Sequence, residues 1–364
     1  MLLAICGLAN PPFSVETNSV KLTPRSRFAT SLKLRSRWRV IAFVVLCFLL
    51  SGGPKSLADG PRASSAPIDV SSANVIDLWP DTPPQWDGTD QQERDTTDSK
   101  GGMVAGGAVI RLGHVSKPQL HLYFPQVESA ANAKADTIIL ICPGGGYSIL
   151  AWDLEGTEIA QRFNSMGYSA AVVKYRVPTR QSEEPWLAPV QDIQRAISQL
   201  RTMAKNEGKS GLRVGLVGFS AGGNAAARTA TAGGQRFYEP IDGIDKASCE
   251  VDFAGLVYPW LMVENPSASK PNSNGVKAGT MGIIPDLTIT VSTPPMFFAH
   301  AIDDRISCRN SIELFSALQA NGIPAELHIF ASGGHGFGAR DAALPAANWP
   351  EQMARWLTVI SPAH

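Results

Sequence analysis

A serine between two glycines is the first feature of this sequence with chemical potential. The segment Gly218-Phe-Ser-Ala-Gly222 places Ser220 between an apolar run at 213–217 and a helical pattern at 221–232. Only small residues fit two positions before and two positions after a serine held in a strained strand-to-helix turn, and such a turn exposes the hydroxyl. We therefore predict that Ser220 is a nucleophile and that the N–H of Ala221, at the start of the helix, binds an oxyanion.

A glycine-rich loop upstream of this serine supplies further candidates. Pro143-Gly-Gly-Gly-Tyr147 follows an apolar run at 137–142, and no Gly-Lys-Ser/Thr ending marks it as a phosphate-binding loop. Glycine lets backbone donors approach a substrate closely. We predict that Gly145 and Gly146 donate their N–H groups to the same oxyanion. The candidate residues of a substrate pocket are Tyr147, Asp153 and Glu155, although Glu155 could also simply begin a helix.

An acid and a base follow the serine in chain order. Asp303 and Asp304 come just after an apolar run at 295–300, and His335 lies in Gly333-Gly-His-Gly-Phe337 after a run at 325–330. Nucleophile, acid and histidine in this order are typical of one class of serine hydrolases. We predict Asp303 as the acid, with Asp304 as the alternative, and His335 as the base. Glycines around His335 would let its ring reach both partners.

Strands and helices alternate through the chain from about residue 104. Continuous apolar strands are typical of a parallel sheet that is buried on both faces. The hairpin-like segment 109–124 would add an antiparallel edge. The pattern predicts an α/β class with a mostly parallel central sheet flanked by helices on both faces. Predicted strands lie at 137–142, 169–175, 213–217, 253–258, 295–300 and 325–330, and predicted helices at 156–166, 188–207, 221–232, 307–321 and 349–359.

Composition excludes several classes of protein. The formal net charge is zero and 18% of residues are charged. Nucleic-acid binding, which needs a basic surface, is therefore not expected. Five scattered cysteines form no CxxC pair, so zinc and dithiol sites are not expected. The sequence does not decide whether Cys249 and Cys308 form a disulfide. We expect no metal or other cofactor. The oligomeric state is left open.

The N-terminal region predicts export. Arg35, Arg37 and Arg39 precede an apolar stretch at 40–50, and Ser56-Leu-Ala58 offers small residues before a cleavage site. Residues 1–58 are therefore predicted to be a signal peptide or an uncleaved anchor, which would be the chain's only membrane segment. Residues 59–103 are predicted to form a linker or a loosely packed arm, which Trp79 and Trp86 could attach to the surface of the domain. Residues 104–364 are predicted to form the catalytic domain. We expect a secreted or periplasmic protein.

Several motifs together resemble one group of enzymes. They are CPGGGY at 142–147, WDLEG at 152–156, VGFSAGGN at 217–224 and AELHIFASGGHGFG at 325–338. Over about residues 104–360 the chain is similar to acetyl-xylan-esterase-like and feruloyl-esterase-like bacterial α/β-hydrolases, near the prolyl-oligopeptidase branch. The resemblance implies an α/β-hydrolase fold and a triad of Ser220, Asp303 and His335. Members of this group are often exported and act on acetylated plant polysaccharide.

The residues and the resemblance lead to one expected activity with two alternatives. We expect a serine carboxylic-ester hydrolase that removes acetyl or other small acyl groups from carbohydrate through an acyl-enzyme. One alternative is a serine peptidase similar to prolyl oligopeptidase. The other is a non-catalytic binding protein with a hydrolase fold. The sequence does not identify the acyl group or the alcohol of the substrate.

Overall fold

In the part of the chain that the structure describes, eight strands form the central sheet. The computed structural model describes residues 75–86, 89–98, 101–125, 134–264 and 282–360, so the predicted export segment lies outside the described residues. Six neighbouring strands run parallel, and the other two add an antiparallel edge. In spatial order the strands are β1 (Val75–Asp77), β4 (Gln119–Tyr123), β7 (Tyr168–Lys174), β5 (Lys134–Cys142), β8 (Arg213–Phe219), β9 (Phe253–Val257), β10 (Met296–Ala301) and β11 (Ala325–Phe330).

Helices cover both faces of this sheet. Ile139 and Ile141 of β5 point into one apolar core, whereas Leu140 points into another, as expected for alternating side chains along a strand. The first core is completed by α1 (Glu158–Ser165) and α5 (Trp349–Ile360). The second is completed by α2 (Leu187–Asn206), α3 (Ser220–Thr231) and α4 (Arg309–Ala320). The predicted fold class is therefore confirmed.

The register of the parallel strands brings the predicted site residues to one edge. Cys142 at the end of β5 pairs with Gly218 near the end of β8, so the glycine-rich loop and the serine turn leave the sheet side by side. Ala299 of β10 pairs with His328 of β11 in the same way. Functional loops lie at this carboxyl edge in open α/β sheets.

The predicted hairpin at 109–124 does not form. β3 (Arg111–Gly113) joins a separate three-stranded sheet with β2 (Arg94–Asp95) and β6 (Ile149–Ala151), whereas β4 joins the central sheet. β4 is antiparallel as predicted, but β1 covers its outer side. Because β1 is only three residues long and lies in a segment rich in Pro and Asp, sequence analysis did not find it.

The described part of the predicted arm is packed firmly on the domain. The indole Nε1 of Trp79 donates to Asp192 Oδ1 at 2.8 Å, and Asp192 also pairs with Arg176 at 2.9 Å with both side chains fully buried. Arg176 donates to the carbonyl of Pro84 at 2.6 Å. Its guanidinium carbon lies 5.7 Å from the ring centroid of Trp86. A buried ion pair therefore fastens residues 79–86 to α2.

Three further observations concern membrane helices, cysteines and metal ligands. No helix in the described ranges is both long and apolar enough to cross a membrane. Cys142, Cys249 and Cys308 are free thiols. Among the same residues, no group of three or more His, Cys, Asp or Glu side chains is arranged to hold a metal ion.

Candidate active site

The turn between β8 and α3 holds Ser220 in a strained backbone conformation. Ser220 has a φ of +49°, which lies in the left-handed region that non-glycine residues rarely adopt. A Cβ on Gly218 would lie 2.5 Å from the carbonyl oxygen of Gly222, and one on Gly222 would lie 2.2 Å from that of Cys142. The two glycines therefore allow the close packing that keeps this turn sharp. Such strain is typical of a functional turn.

His335 lies directly over the Ser220 hydroxyl. Its Nε2 is 2.9 Å from Ser220 Oγ, and its Nδ1 is 2.8 Å from Asp304 Oδ2. One ring nitrogen can therefore accept the serine proton while the other donates to a carboxylate, which is the geometry of a serine–histidine–acid relay. The structure brings together Ser220 and His335, as the sequence predicted.

The choice of Asp303 as the partner of His335 is wrong in the structure. Asp303 accepts a hydrogen bond from the backbone N–H of Gly334 at 2.8 Å and remains exposed. The turn after β10 closes when Asp304 N–H donates to the carbonyl of Ala301 at 3.3 Å. Because consecutive residues in this turn point in different directions, Asp304 enters the site, whereas Asp303 supports the loop that carries His335.

A hydrogen-bond network holds Asp304 in its ionised form. Its Oδ1 accepts from Ile306 N–H at 2.6 Å, and its Oδ2 lies 3.3 Å from Nε2 of the fully buried His300. The other ring nitrogen of His300 lies 2.9 Å from Ser311 Oγ. Burial by itself raises the pKa of Asp304, but the hydrogen bonds from His300 and His335 outweigh it and lower this pKa to about 2. Asp304 is therefore a carboxylate at any pH near neutrality.

The glycine-rich loop lies against the nucleophile. Gly145 and Gly146 have φ values of +133° and +64°, and both line the cleft that contains Ser220 and His335. A Cβ on Gly145 would lie only 2.0 Å from the carbonyl oxygen of Ile149, so only glycine fits there. Ala221 is the second residue of α3, where helix N–H groups lack helical acceptors. The placement suits oxyanion binding by these three residues, which stays a prediction.

Two candidates for the substrate pocket are not in it. Tyr147 is 1% exposed, and its hydroxyl donates to Asn224 Oδ1 at 2.8 Å in the core. Asp153 accepts from Ile110 N–H at 2.8 Å and pairs with Arg340 at 3.0 Å. Tyr147 turns inward because the loop adopts a positive φ at this residue, and Asp153 points toward neighbouring loops. These two predictions are corrected.

Glu155 does reach the wall of the cleft, but its oxygens already have partners. It is 4% exposed and lies in a short π-helical turn (Asp153–Thr157) that leads into α1. Its Oε2 accepts from Gly144 N–H and its Oε1 from the hydroxyl of Tyr258, both at 2.8 Å. Glu155 therefore supports the site from below rather than offering a free carboxylate to a substrate.

The cleft above Ser220 has a volume of about 800 Å³, and part of its lining lies outside the predicted motifs. Trp260 forms one wall, and its backbone N–H donates to the carbonyl of Ser220 at 3.0 Å. The guanidinium carbon of Arg180 lies 4.3 Å from the centroid of the Trp260 ring. No motif marks the added lining residues, which include Met103, Val104, Arg111, Arg180 and Arg305.

The fold and this site together define an α/β hydrolase with a serine at the nucleophile position. The structure is similar to that of an acetyl ester-xyloside bifunctional hydrolase from Caldicellulosiruptor lactoaceticus, with a TM-score of 0.56 and 26% identity over 79% of this chain and 96% of that one. It also shares its fold with carboxylesterase Cest-2923 from Lactobacillus plantarum, with a TM-score of 0.51 and 21% identity over 74% and 98% of the two chains.

Sequence comparison then identifies the family. The BD-FAE family model matches residues 120–318, which is more than half of the 364 residues, so the chain belongs to the BD-FAE family. The resemblance inferred from the motifs is thereby confirmed.

Two curated relatives match over part of their length. An acetylxylan esterase of Xylanibacter ruminicola is 28% identical over 240 residues, 63% of this chain and 45% of the relative. Endo-1,4-beta-xylanase B of Butyrivibrio fibrisolvens is 24% identical over 215 residues, 56% of this chain and 33% of the relative. The chain thus spans less than half the length of either relative.

Proposed function

We propose that the protein is a serine carboxylic-ester hydrolase that removes acetyl or other small acyl groups from carbohydrate. The observation that carries the proposal is the relay from Ser220 Oγ through His335 to Asp304, with distances of 2.9 Å and 2.8 Å. A binding protein has no need for these three groups in line. The names of the acetylxylan esterase and the acetyl ester-xyloside hydrolase among its relatives support an acetylated sugar as substrate.

The relay performs hydrolysis in two steps. Ser220 Oγ attacks the acyl carbon as its proton passes to His335 Nε2, and the oxyanion is bound by the N–H groups of the glycine-rich loop and Ala221. The protonated imidazole gives this proton to the oxygen of the leaving alcohol, which leaves an acyl-enzyme. Water then loses a proton to His335 and attacks the acyl carbon. The acid departs, and the proton returns to Ser220 Oγ.

A screen of esters tests this proposal. Acetate release would be measured from acetylated xylan, acetylated monosaccharides and 4-nitrophenyl acetate, with the Ser220→Ala variant as the control. We expect activity in the parent protein and its loss in the variant. A serine-directed phosphonate should label Ser220. No hydrolysis of any ester together with no labelling would contradict the proposal, and cleavage of peptides but not esters would support the peptidase alternative.

Export is proposed on the N-terminal sequence alone. Arg35, Arg37 and Arg39 ahead of the apolar stretch 40–50 support a secreted or periplasmic location. Cell fractionation followed by N-terminal sequencing of the mature protein tests it. We expect the mature chain to start near Asp59. An intact N-terminus in the cytoplasmic fraction would contradict export.

A further inference from the structure

Glu155 is a buried carboxylate that contacts two parts of the active site at once. Its Oε2 accepts the hydrogen bond from the N–H of Gly144, the first glycine of the glycine-rich loop at 143–147, which is called the oxyanion loop below. A Cβ on Gly144 would lie 2.6 Å from Glu155 Oε2 and 3.0 Å from Ser220 Cβ. The backbone of this loop is therefore wedged between Glu155 and the nucleophile, and a change in the carboxylate would move the loop.

The second contact of Glu155 leads to the loop that carries the base. Tyr258, at the carboxyl end of β9, donates its hydroxyl proton to Glu155 Oε1 and accepts from Gly338 N–H at 3.2 Å. The Tyr258 ring packs edge-on against His335, with centroids 5.1 Å apart. Glu155 therefore reaches His335 through one intermediate side chain.

The donors around Glu155 suit a carboxylate rather than a carboxylic acid. The N–H of Gly144 can only donate, and Gly338 N–H occupies Tyr258 Oη as an acceptor, which leaves the tyrosine proton for Glu155. The pKa of Glu155 is raised, because burial outweighs the opposing hydrogen bond from Tyr258 and the positive charge of a protonated His335; the assignment of a carboxylate rests on the two donors that its oxygens accept from. Among the described residues, no lysine or arginine forms an ion pair with Glu155, and a protonated His335 is a cationic group to which its charge couples.

We propose that Glu155 is a positioning residue that aligns the oxyanion loop and the His335 loop, and that its charge stabilises the imidazolium formed in each step. This inference rests on the proposed hydrolase function. It assigns to the site a second carboxylate that acts from beneath the ring, in addition to Asp304 at Nδ1. Electrostatic groups that are fixed in advance of the reaction favour the charged transition state because they need not reorganise.

Other ionisable groups near the two residues define what a pH experiment reports. The groups that contact His335 are Ser220, Asp304 and Tyr258, and Asp303 and Arg305 lie at the cleft wall nearby. His300 acts on His335 through Asp304. The groups around Glu155 are Asp153, Tyr175 and Tyr258. Because the pKa of Asp304 is lowered to about 2, protonation of this carboxylate does not contribute to the acid limb of the pH profile of kcat/KM.

The Glu155→Gln variant tests both parts of the proposal. An amide has one acceptor oxygen where a carboxylate has two, so the variant cannot satisfy both Gly144 and Tyr258. We expect kcat/KM for 4-nitrophenyl acetate to fall roughly 10- to 100-fold, mainly through kcat, as misplacement of reacting groups commonly produces. Loss of the negative charge should also move the acid limb of the pH profile of kcat/KM to lower pH, because the positive charge formed on the base is then less stabilised. A merely structural role would not move this limb.

Two further variants isolate the parts of the effect. Tyr258→Phe breaks the link while it keeps the Glu155 charge, so kcat should fall about 10-fold while the acid limb stays in place. Asp153→Asn, on the same turn but paired with Arg340, is the matched control and should leave both quantities within about 2-fold and 0.2 pH units of the parent.

Three results would overturn the proposal. The first is a Glu155→Gln enzyme with the parent's acid limb, and the second is one with the parent's kcat. If that variant does not fold, as judged by thermal melting, a Tyr258→Phe enzyme with the parent's kcat is the third. Failure of the proposed function is distinguishable, because the parent protein itself would then hydrolyse no ester and take up no phosphonate.

Discussion

Two regions of the protein bury carboxylates in different surroundings. Beneath the arm, Asp192 meets the guanidinium of Arg176, and the indole of Trp79 adds a further donor. Beneath the active site, the donors to Glu155 among the described residues are neutral, one from the backbone and one from Tyr258. A charge that is compensated in the ground state supports the fold. A charge whose countercharge forms only during the reaction can lower the barrier instead.

This difference predicts separate consequences for substitutions in the two regions. Changes at the active-site carboxylates should reduce the rate far more than they reduce the stability of the fold. Changes at Arg176, Asp192 or Trp79, which hold the arm on the domain, should lower stability and leave the rate of the folded enzyme nearly unchanged. Four experiments, from the largest expected effect to the smallest, test whether the regions are separable in this way.

Replacement of Asp304 by Asn should have the largest effect on rate. The amide cannot stabilise the imidazolium and can hold the wrong tautomer of His335, so kcat should fall by about 10³- to 10⁴-fold. Asp303→Asn is the matched control, and its kcat should stay within about 3-fold of the parent because Asp303 bonds only the loop at Gly334. Steady-state kinetics with 4-nitrophenyl acetate measures both. Equal losses would show that the turn works as a unit.

Replacement of Arg176 by Met should have the largest effect on stability. It leaves the fully buried Asp192 without its countercharge, which commonly costs about 3–5 kcal/mol of unfolding free energy. Arg162→Met removes a partly exposed ion pair with Glu351 and should cost less than about 1 kcal/mol. Denaturant unfolding measures both, and kcat below the transition should change little. A large fall in kcat of the folded Arg176→Met enzyme would break the separation.

Two tryptophans of the arm allow a finer test. Trp79→Phe removes the donor to Asp192 and should lower the unfolding free energy by about 1–3 kcal/mol. Trp86→Phe removes an indole N–H that is buried without a partner among the described residues, so it should be neutral or slightly stabilising. Thermal melting of the two variants distinguishes a specific hydrogen bond from general aromatic packing. The same loss in both would favour packing.

Asp153 should show the smallest effect. Asp153→Asn weakens the contacts to Ile110 N–H and Arg340 and should cost about 1 kcal/mol of unfolding free energy. KM for an acetylated sugar should stay within about 2-fold of the parent, because the side chain lies outside the cleft wall. A KM raised more than about 10-fold would restore the original prediction that Asp153 contacts substrate.

Most of the fold could be predicted because its strands are long and apolar. β11 has the predicted bounds, and the predicted α2 and α3 agree with the structure to within one residue at each end. Short strands were missed or assigned wrongly, since the three residues of β1 and β3 carry too little periodicity to be recognised. Their place in a sheet depends on partners more than 30 residues away.

Site residues could be predicted where a local sequence pattern in a single turn was enough to identify them. Ser220 and His335 were found because small residues surround each of them in a loop after a predicted strand. Tyr258 and His300 lie at ends of predicted strands on the same edge, which is a weak signal that was available. The arginines that line the cleft carry no such signal, because the loops that bring them together are unrelated in sequence.

By itself, the sequence determined the class of chemistry. A nucleophile turn, a glycine-rich loop and a histidine loop follow from local backbone requirements that neighbouring residues express directly. Only the tertiary structure decided which of two adjacent aspartates faces His335, and that the oxygens of Glu155 are bound beneath the site instead of being free for a substrate. Both depend on the direction of a side chain within a turn, which is set by packing between distant strands and loops.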